Sequence, residues 1–450
     1  MATTTSTYLQ DIGAKHVTKG LGRITGDAVM VRAQGSWAEF EDGRQLLDFT
    51  TGIGVTNLGH CHPKVSQAAA NQCLSLVHGQ CSIAFHEPYL RLIEKLLPIM
   101  PDPSLDSFFF WNSGSEAVEG ALKMARIYTG RKGIITMQGG YHGRTFGAMA
   151  VTRSKTIYSE GSGPSMPSVF VAPFPFWHQL SLSPSAPEEE VVKKALYQLD
   201  LLLSQQINPK EVAAILIEPV LGEGGYVPAP PSYLRSLREI CDKYGILLIL
   251  DEVQTGFGRT GKYFASEYSG VSPDIMTIAK GLANGFPLSG IVSRTGITEK
   301  LKPGIMGGTY AGNAVACAAA IACTDVMKEE KVLENVQQRS KELITSLNKL
   351  RSRADIGPYI LDVRGVGLMI GVEFASPSSV STYDPNTIAG APRNLASRVA
   401  KRCLEKGMLI LTTSIYEVVR FIPPLNISAE DMALGIEIFT QAVEEIVKEG

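Results

Sequence analysis

The chain has 450 residues, more than a single hydrophobic core usually serves, so two domains or one large domain with an added layer are expected. Charged residues make up 19% and the formal net charge is −2, which removes the basic excess that nucleic acid or an anionic membrane surface would demand and leaves a small molecule as the expected partner. The seven cysteines are scattered without a C-x-x-C pair, as in a reducing compartment, and the longest apolar runs, 246–250 and 315–323, fall well short of the ~20 residues of a membrane span.

The N-terminal stretch MATTTSTYLQDIGAKH has no apolar core and no arginine before Arg23. That argues against a signal peptide and, less strongly, against a mitochondrial presequence, so the cytoplasm is the expected location. Residues 37–40, the turn 41–44 and residues 46–49 read as a small β-meander. Apolar positions recur at helical spacing over 63–98. The run 108–111 then reads as a strand leading directly into a helix on NSGSEAVEGALKMARIY. Further on, 213–217, 232–244 and 246–250 form a strand–helix–strand unit, and 275–279 adds another strand. This pattern implies an α/β fold around a parallel sheet buried on both faces. Helices over 312–328 and 331–350 precede short strands within 363–374 and 408–411, so the last third reads as a separate α+β layer. The Ser/Pro-rich stretches 159–187 and 376–392 read as surface insertions, and no internal repeat is visible.

In open α/β sheets ligands gather at the carboxyl ends of the strands, so polar residues that end apolar runs are the first candidates. Four runs end this way, at Asn112–Ser115, Glu218, Asp251 and Lys280. A lysine at a sheet end is partly desolvated, which lowers its pKa and makes its amine nucleophilic; an ordinary solvent-facing lysine is the alternative. A carboxylate buried at Asp251 needs a cationic partner, for which a protonated pyridine nitrogen serves, although a cap or turn is equally consistent. Ser113 to Glu116 matches a capping box, whose free N–H groups beside Gly114 suit either a phosphate or an ordinary helix start. Residues 256–261 satisfy G-x-G-x-x-G, yet no helical pattern follows and Asp274 opens a strand instead of closing one, so a dinucleotide site is rejected. His60-Cys61-His62 reads as a turn before a helix, with no further metal ligands nearby.

Taken together, NSGSEA (112–117), GYHGRT (140–145), EPVLGEGG (218–225), DEVQTGFGRTG (251–261), TIAKG (277–281) and GTYAGNAVA (308–316) resemble the class III, or omega, aminotransferases of pyridoxal-phosphate (PLP) fold type I, in the family's order and from about Trp37 onward. The resemblance implies a large domain over 61–325 with a mostly parallel sheet sandwiched by helices. It also implies a smaller α+β domain built from both termini, 1–60 and 326–450. It implies pyridoxal 5'-phosphate as cofactor, bound covalently by Lys280, which later shuttles the substrate proton. Asp251 is expected at the pyridine nitrogen, Gln254 near the ring hydroxyl, Val253 and Tyr141 on the two ring faces, and Ser113, Gly114 and Ser115 at the phosphate. His142 and Glu218 belong to the same cofactor pocket, His142 in a supporting position. Thr309 is expected to reach the phosphate of a neighbouring subunit, which implies a homodimer.

Substrate choice is expected to rest on Ile53, Arg144, Glu223 and Arg420, where the chain looks like 4-aminobutyrate aminotransferases. Arg144 would hold the carboxylate of an ω-amino acid, and Arg420 the 2-oxoglutarate carboxylate near the reacting carbon, with Glu223 neutralising Arg420 when an amine without that carboxylate binds; 2-oxoglutarate or pyruvate is the expected acceptor. Structural ion pairing is the plainer role for either arginine. The alternatives are an acetylornithine or ornithine type, a broad amine:pyruvate type, a decarboxylating branch, which Glu223 disfavours, and a non-catalytic cofactor-binding module.

Overall fold

The computed structural model describes residues 7–377 and 384–449. Its centre is a seven-stranded sheet of β1 (Ser107–Trp111), β2 (Gly133–Met137), β3 (Val169–Ala172), β4 (Val212–Ile217), β5 (Leu247–Asp251), β6 (Ile275–Ile278) and β7 (Ser289–Ser293) in the order β1-β7-β6-β5-β4-β2-β3. Only β7 runs against its neighbours. Every residue of β2, β4, β5, β6 and β7 is buried, the pattern of strands covered on both faces, and it explains why these runs show no polar alternation. Helices α1 (Gly114–Thr129), α2 (Phe146–Val151) and α3 (Pro231–Tyr244) supply cover: α1 packs Ala117, Val118, Ala121 and Ala125 against Ile249, Ile275 and Ile291.

A second, four-stranded sheet joins β8 (Ile360–Val366), β9 (Met369–Phe374), β10 (Leu411–Thr413) and β11 (Val418–Phe421) in the order β8-β9-β11-β10, all antiparallel. The N-terminal meander is present: Trp37–Phe40 pairs with Gln45–Asp48, and the latter takes Met408–Leu409 as a parallel partner. The two ends of the chain therefore share one sheet.

The structure departs from the reading of 63–98 as one helical stretch. Two helices, Pro63–Cys73 and Glu87–Leu96, are separated by a segment in which Leu74, Val77, Ile83 and Phe85 are exposed. The stretch 159–187 is not merely a surface insertion, because it contains β3 and the buried Phe174, Phe176 and Trp177; its Ser/Pro content masked a four-residue edge strand. Within 376–392, residues 378–383 lie outside the described residues. No helix of the described residues is long and apolar enough to cross a membrane.

Candidate active site

The strands that run parallel deliver their carboxyl ends to one edge of the central sheet, and a cavity of about 270 Å³ opens there. Asn112, Gly114 and Ser115 follow β1, Tyr141 and His142 follow β2, Glu218 and Glu223 follow β4, Asp251, Val253 and Gln254 end β5, and Ala279 and Lys280 end β6; all line it. Convergence at this edge follows from parallel pairing, which places successive strand ends side by side.

Lys280 is the strained member. Its φ is +48°, a left-handed conformation unusual for a side-chain-bearing residue, which is held only where the surroundings dictate it. Burial lowers its amine to about 8, against the opposing pull of Glu223, Asp251 and Glu218. A substantial fraction is therefore neutral near pH 7.5, as a nucleophilic amine requires.

Asp251 is buried at the end of β5, so an isolated charge there would be costly. Three donors compensate it. Its Oδ2 lies 2.7 Å from His142 Nδ1, and its Oδ1 accepts from Thr277 Oγ1 at 2.9 Å and from the Val253 N–H at 3.1 Å. Thr277 can reach because β5 and β6 pair in the register Asp251–Thr277. Burial acts to raise the Asp251 pKa, but the His142 bond and charge, with the other donors, hold it below the ordinary carboxylate range. Burial likewise opposes charge on His142, and Asp251 raises its pKa despite that. His142 thus acts as the buttress of Asp251.

Glu218 is also buried, and burial pushes its carboxyl up to about 7. Its two oxygens accept from the backbone N–H groups of Tyr141 at 2.8 Å and Gly222 at 2.9 Å. This single side chain therefore ties the loop after β2 to the loop after β4.

At the start of α1 the expected capping box is present: Ser113 Oγ accepts from the Glu116 N–H, and Glu116 accepts from the Ser113 N–H. Ser113 is thereby occupied and lies outside the cavity lining, whereas Gly114 and Ser115 face into it. A β-carbon at Gly114 would come within 3.1 Å of Val253 Cγ1, and one at Gly143 (φ +129°) would fall 2.2 Å from Ser115 Oγ, so glycine lets both loops close on the helix start.

Across the cavity, the buried Arg420 on β11 forms an ion pair with Glu223 and lies over the Tyr226 ring at 5.9 Å. Burial works against both charges, yet each partner holds the other ionised: the Arg420 pKa is raised and that of Glu223 lowered, the latter helped by Lys280 and Lys155. Arg144 stands at the rim, its Nε donating to the Tyr141 hydroxyl at 3.3 Å, and it has no carboxylate within ion-pair distance among the described residues. Ile53 is partly exposed at a φ of +67°, and Thr309 is exposed in a turn that does not line this chain's cavity.

Sequence reasoning missed Lys155 and Tyr158, half-buried groups that sense the charges of Glu223 and Arg420, and the segment 285–288, which closes one wall. None ends an apolar run, the signal used to find the others.

A cofactor carrying an aldehyde, a basic ring nitrogen and a phosphate needs a neutral amine, a persistent carboxylate and a helix start with free N–H groups. Lys280, Asp251 and the first turn of α1 meet those needs in one cavity. Moreover, His142 Nε2 and Gln254 Oε1 are buried without a partner among the described residues, the condition of groups awaiting a ligand. The residues fit pyridoxal 5'-phosphate.

The profile described as aminotransferase class-III matches residues 22–443. The chain is 39% identical to the 5-aminovalerate aminotransferase DavT of Pseudomonas putida over 96% of each chain, and 37% identical to the 4-aminobutyrate aminotransferase GabT of Escherichia coli over 90% of each. Its fold matches the crystal structure of a transaminase from the marine bacterium Virgibacillus with a TM-score of 0.87 at 28% identity, covering 98% of this chain and 99% of the other. With the site residues gathered as described, the chain belongs to the class III aminotransferases and uses pyridoxal 5'-phosphate as its cofactor.

Proposed function

We propose that the protein moves the terminal amino group of a short ω-amino acid, of the 4-aminobutyrate or 5-aminovalerate kind, to 2-oxoglutarate or pyruvate in a ping-pong cycle. The observation that carries this reading is the buried Glu223–Arg420 pair, whose charges reach Lys280, with Arg144 exposed beside the lining residues Tyr141 and Gly143 and without an ion-pair partner among the described residues. Two substrates must share one cavity although their carboxylates stand at different distances from the reacting carbon. Arg144 meets the distant carboxylate of the donor while Glu223 keeps Arg420 neutralised. The acceptor's carboxylate then displaces Glu223 and binds Arg420 bidentately. At each stage the buried guanidinium keeps an anionic partner, which avoids the penalty of several kcal/mol for a bare charge.

When bound, the cofactor supplies an electrophilic carbonyl and an electron-poor ring that stabilises negative charge on the substrate carbon. Lys280 Nζ is the group placed to attach it and to carry a proton on and off that carbon. Asp251, anchored by His142 and Thr277, would keep a negative charge for the ring nitrogen, Gln254 would serve the ring hydroxyl, and Val253 and Tyr141 would bound the ring. Gly114 and Ser115 would hold the phosphate, with Ser113 acting through the helix cap. His142 and Glu218 line the pocket; Ile53, exposed outside the lining of this cavity, would form part of the substrate wall. The Tyr141 hydroxyl on Arg144 favours an ω-amino acid type over an acetylornithine type, in which an aromatic without that hydroxyl is usual.

The exposed Leu74, Ile83, Phe85 and Tyr310, the last beside Thr309, support a homodimer in which Thr309 reaches the neighbouring phosphate. The large domain at 61–325, the smaller one from 1–60 and 326–450, and a cytoplasmic location complete the reading; the seven free cysteines suit the last.

The test is a comparison of half-reactions by cofactor absorbance. Arg420→Ala should slow the 2-oxoglutarate half-reaction by about 100-fold or more, on the scale of a lost buried charge pair, and benzylamine far less. Equal loss in both would refute the two-carboxylate account.

A further inference from the structure

Arg144 contacts two tyrosines. Its Nε is engaged by the Tyr141 hydroxyl at 3.3 Å, and its guanidinium carbon lies 4.6 Å from the centroid of the Tyr158 ring. The two rings meet edge to face, with centroids 5.3 Å apart and an interplanar angle of 76°. Tyr158 ends a short turn, Thr156–Tyr158, that follows Lys155, and it is half-buried where the charges of Glu223, Arg144 and Arg420 all reach it.

A guanidinium presents a carboxylate with either its side edge, through Nε and one Nη, or its end edge, through both Nη groups. Tyr141 occupies the side edge. The face of Tyr158 attracts the guanidinium and so restrains the rotation that the Tyr141 bond leaves free. The end edge is then the one left to a ligand, and a guanidinium restrained at two points has less entropy to lose on binding.

We propose that Tyr158 is a positioning residue for the donor carboxylate: it sets the plane of Arg144 so that the Nη1–Nη2 edge meets an ω-amino acid, and it thereby contributes to selectivity for ω-amino acids over amines that lack a carboxylate. This rests on the reading of Arg144 as the donor-carboxylate site. Tyr158 acts through Arg144 and touches neither reacting atom.

The test uses the cofactor-loaded enzyme and four variants, Tyr158→Phe, Tyr158→Leu, Tyr158→Gln and Arg144→Ala. Two quantities are read: the ratio of kcat/KM for 4-aminobutyrate to that for benzylamine, and the Kd of pentanoate by calorimetry, which needs no turnover. Tyr158→Leu, or Tyr158→Gln should leucine prevent folding, is expected to lower the ratio by about 5- to 20-fold, chiefly through KM, and to weaken pentanoate by a similar factor, the span of a partly desolvated cation–π contact. Tyr158→Phe keeps the face and should recover most of both. If Arg144→Ala abolishes the preference while the Leu and Gln variants keep it, or if Phe is as harmful as Leu, the role of Tyr158 is overturned and the carboxylate site stands. If Arg144→Ala leaves the ratio unchanged, or the unmodified enzyme binds no pentanoate, the underlying reading falls.

Discussion

At the scale of single residues, the site depends on charges kept in unusual states by their neighbours. Burial brings the Lys280 amine to about 8, so its reactive, neutral form grows with rising pH and levels off above that value. At pH 7.5 about a quarter of the amines would be neutral, against about one in a thousand for an unperturbed lysine. The rate at which cofactor-free enzyme takes up pyridoxal 5'-phosphate, followed by absorbance, should therefore rise with a midpoint near pH 8; a midpoint beyond pH 10 would mean that burial does not control this amine. Lys280 and Asp251 were legible in the sequence because each abruptly ends an apolar run. His142 was legible only as a neighbour of Tyr141, since its bond to Asp251 joins residues 109 positions apart. Tyr158 was invisible, because a ring lying over a distant arginine leaves no mark on local spacing.

At the scale of elements, the helix after β1 shows how packing overrides propensity. Gly120 lies inside α1, where alanine would ordinarily stabilise a helix by roughly 1 kcal/mol. A β-carbon there would fall 2.1 Å from Trp111 Cη2, however, and the Trp111 ring is held by β1 and by its Nε1 donating to the Gly307 carbonyl at 3.1 Å. Gly120→Ala should thus destabilise the protein by about 1–3 kcal/mol, the cost of overpacking, measured by denaturant unfolding. The capping box that opens α1 was readable as a pattern. Strand β3 was not, because a four-residue edge strand amid serine and proline carries too few apolar positions to stand out, and β7 was passed over because Ser289, Gly290 and Ser293 dilute it. Both are identified by their partners in the sheet.

At the scale of the whole molecule, the chain ends and the middle are bound together. The fully buried Arg259 donates to the carbonyls of Leu368 and Pro423, 109 and 164 residues further along the chain, and, at 2.9 Å, to Asn57 Oδ1, 202 residues before it, so the GFGRTG turn joins both ends of the chain. That is why the glycine-rich run resembling a nucleotide loop is instead a structural turn. The exposed apolar segment between the helices Pro63–Cys73 and Glu87–Leu96 is the surface on which the proposed second copy would pack. Ile83→Asp should shift sedimentation from dimer towards monomer and weaken cofactor retention, as Thr309 would lose the site it is proposed to reach; an unchanged dimer with this variant would argue for another interface.

Local chemistry in the sequence was enough to determine the layered α/β class, the helix caps, the lysine and aspartate at the strand ends and, by resemblance, the family and its cofactor. These are properties of contiguous residues: apolar runs, turn glycines and motifs a few positions long. Tertiary structure alone decided that His142 and Thr277 anchor Asp251, that Glu218 ties two loops, and that Arg144 contacts both Tyr141 and Tyr158. Such pairings are set by the register of parallel strands and by the desolvation that burial imposes, and neither is written in spacing along the chain.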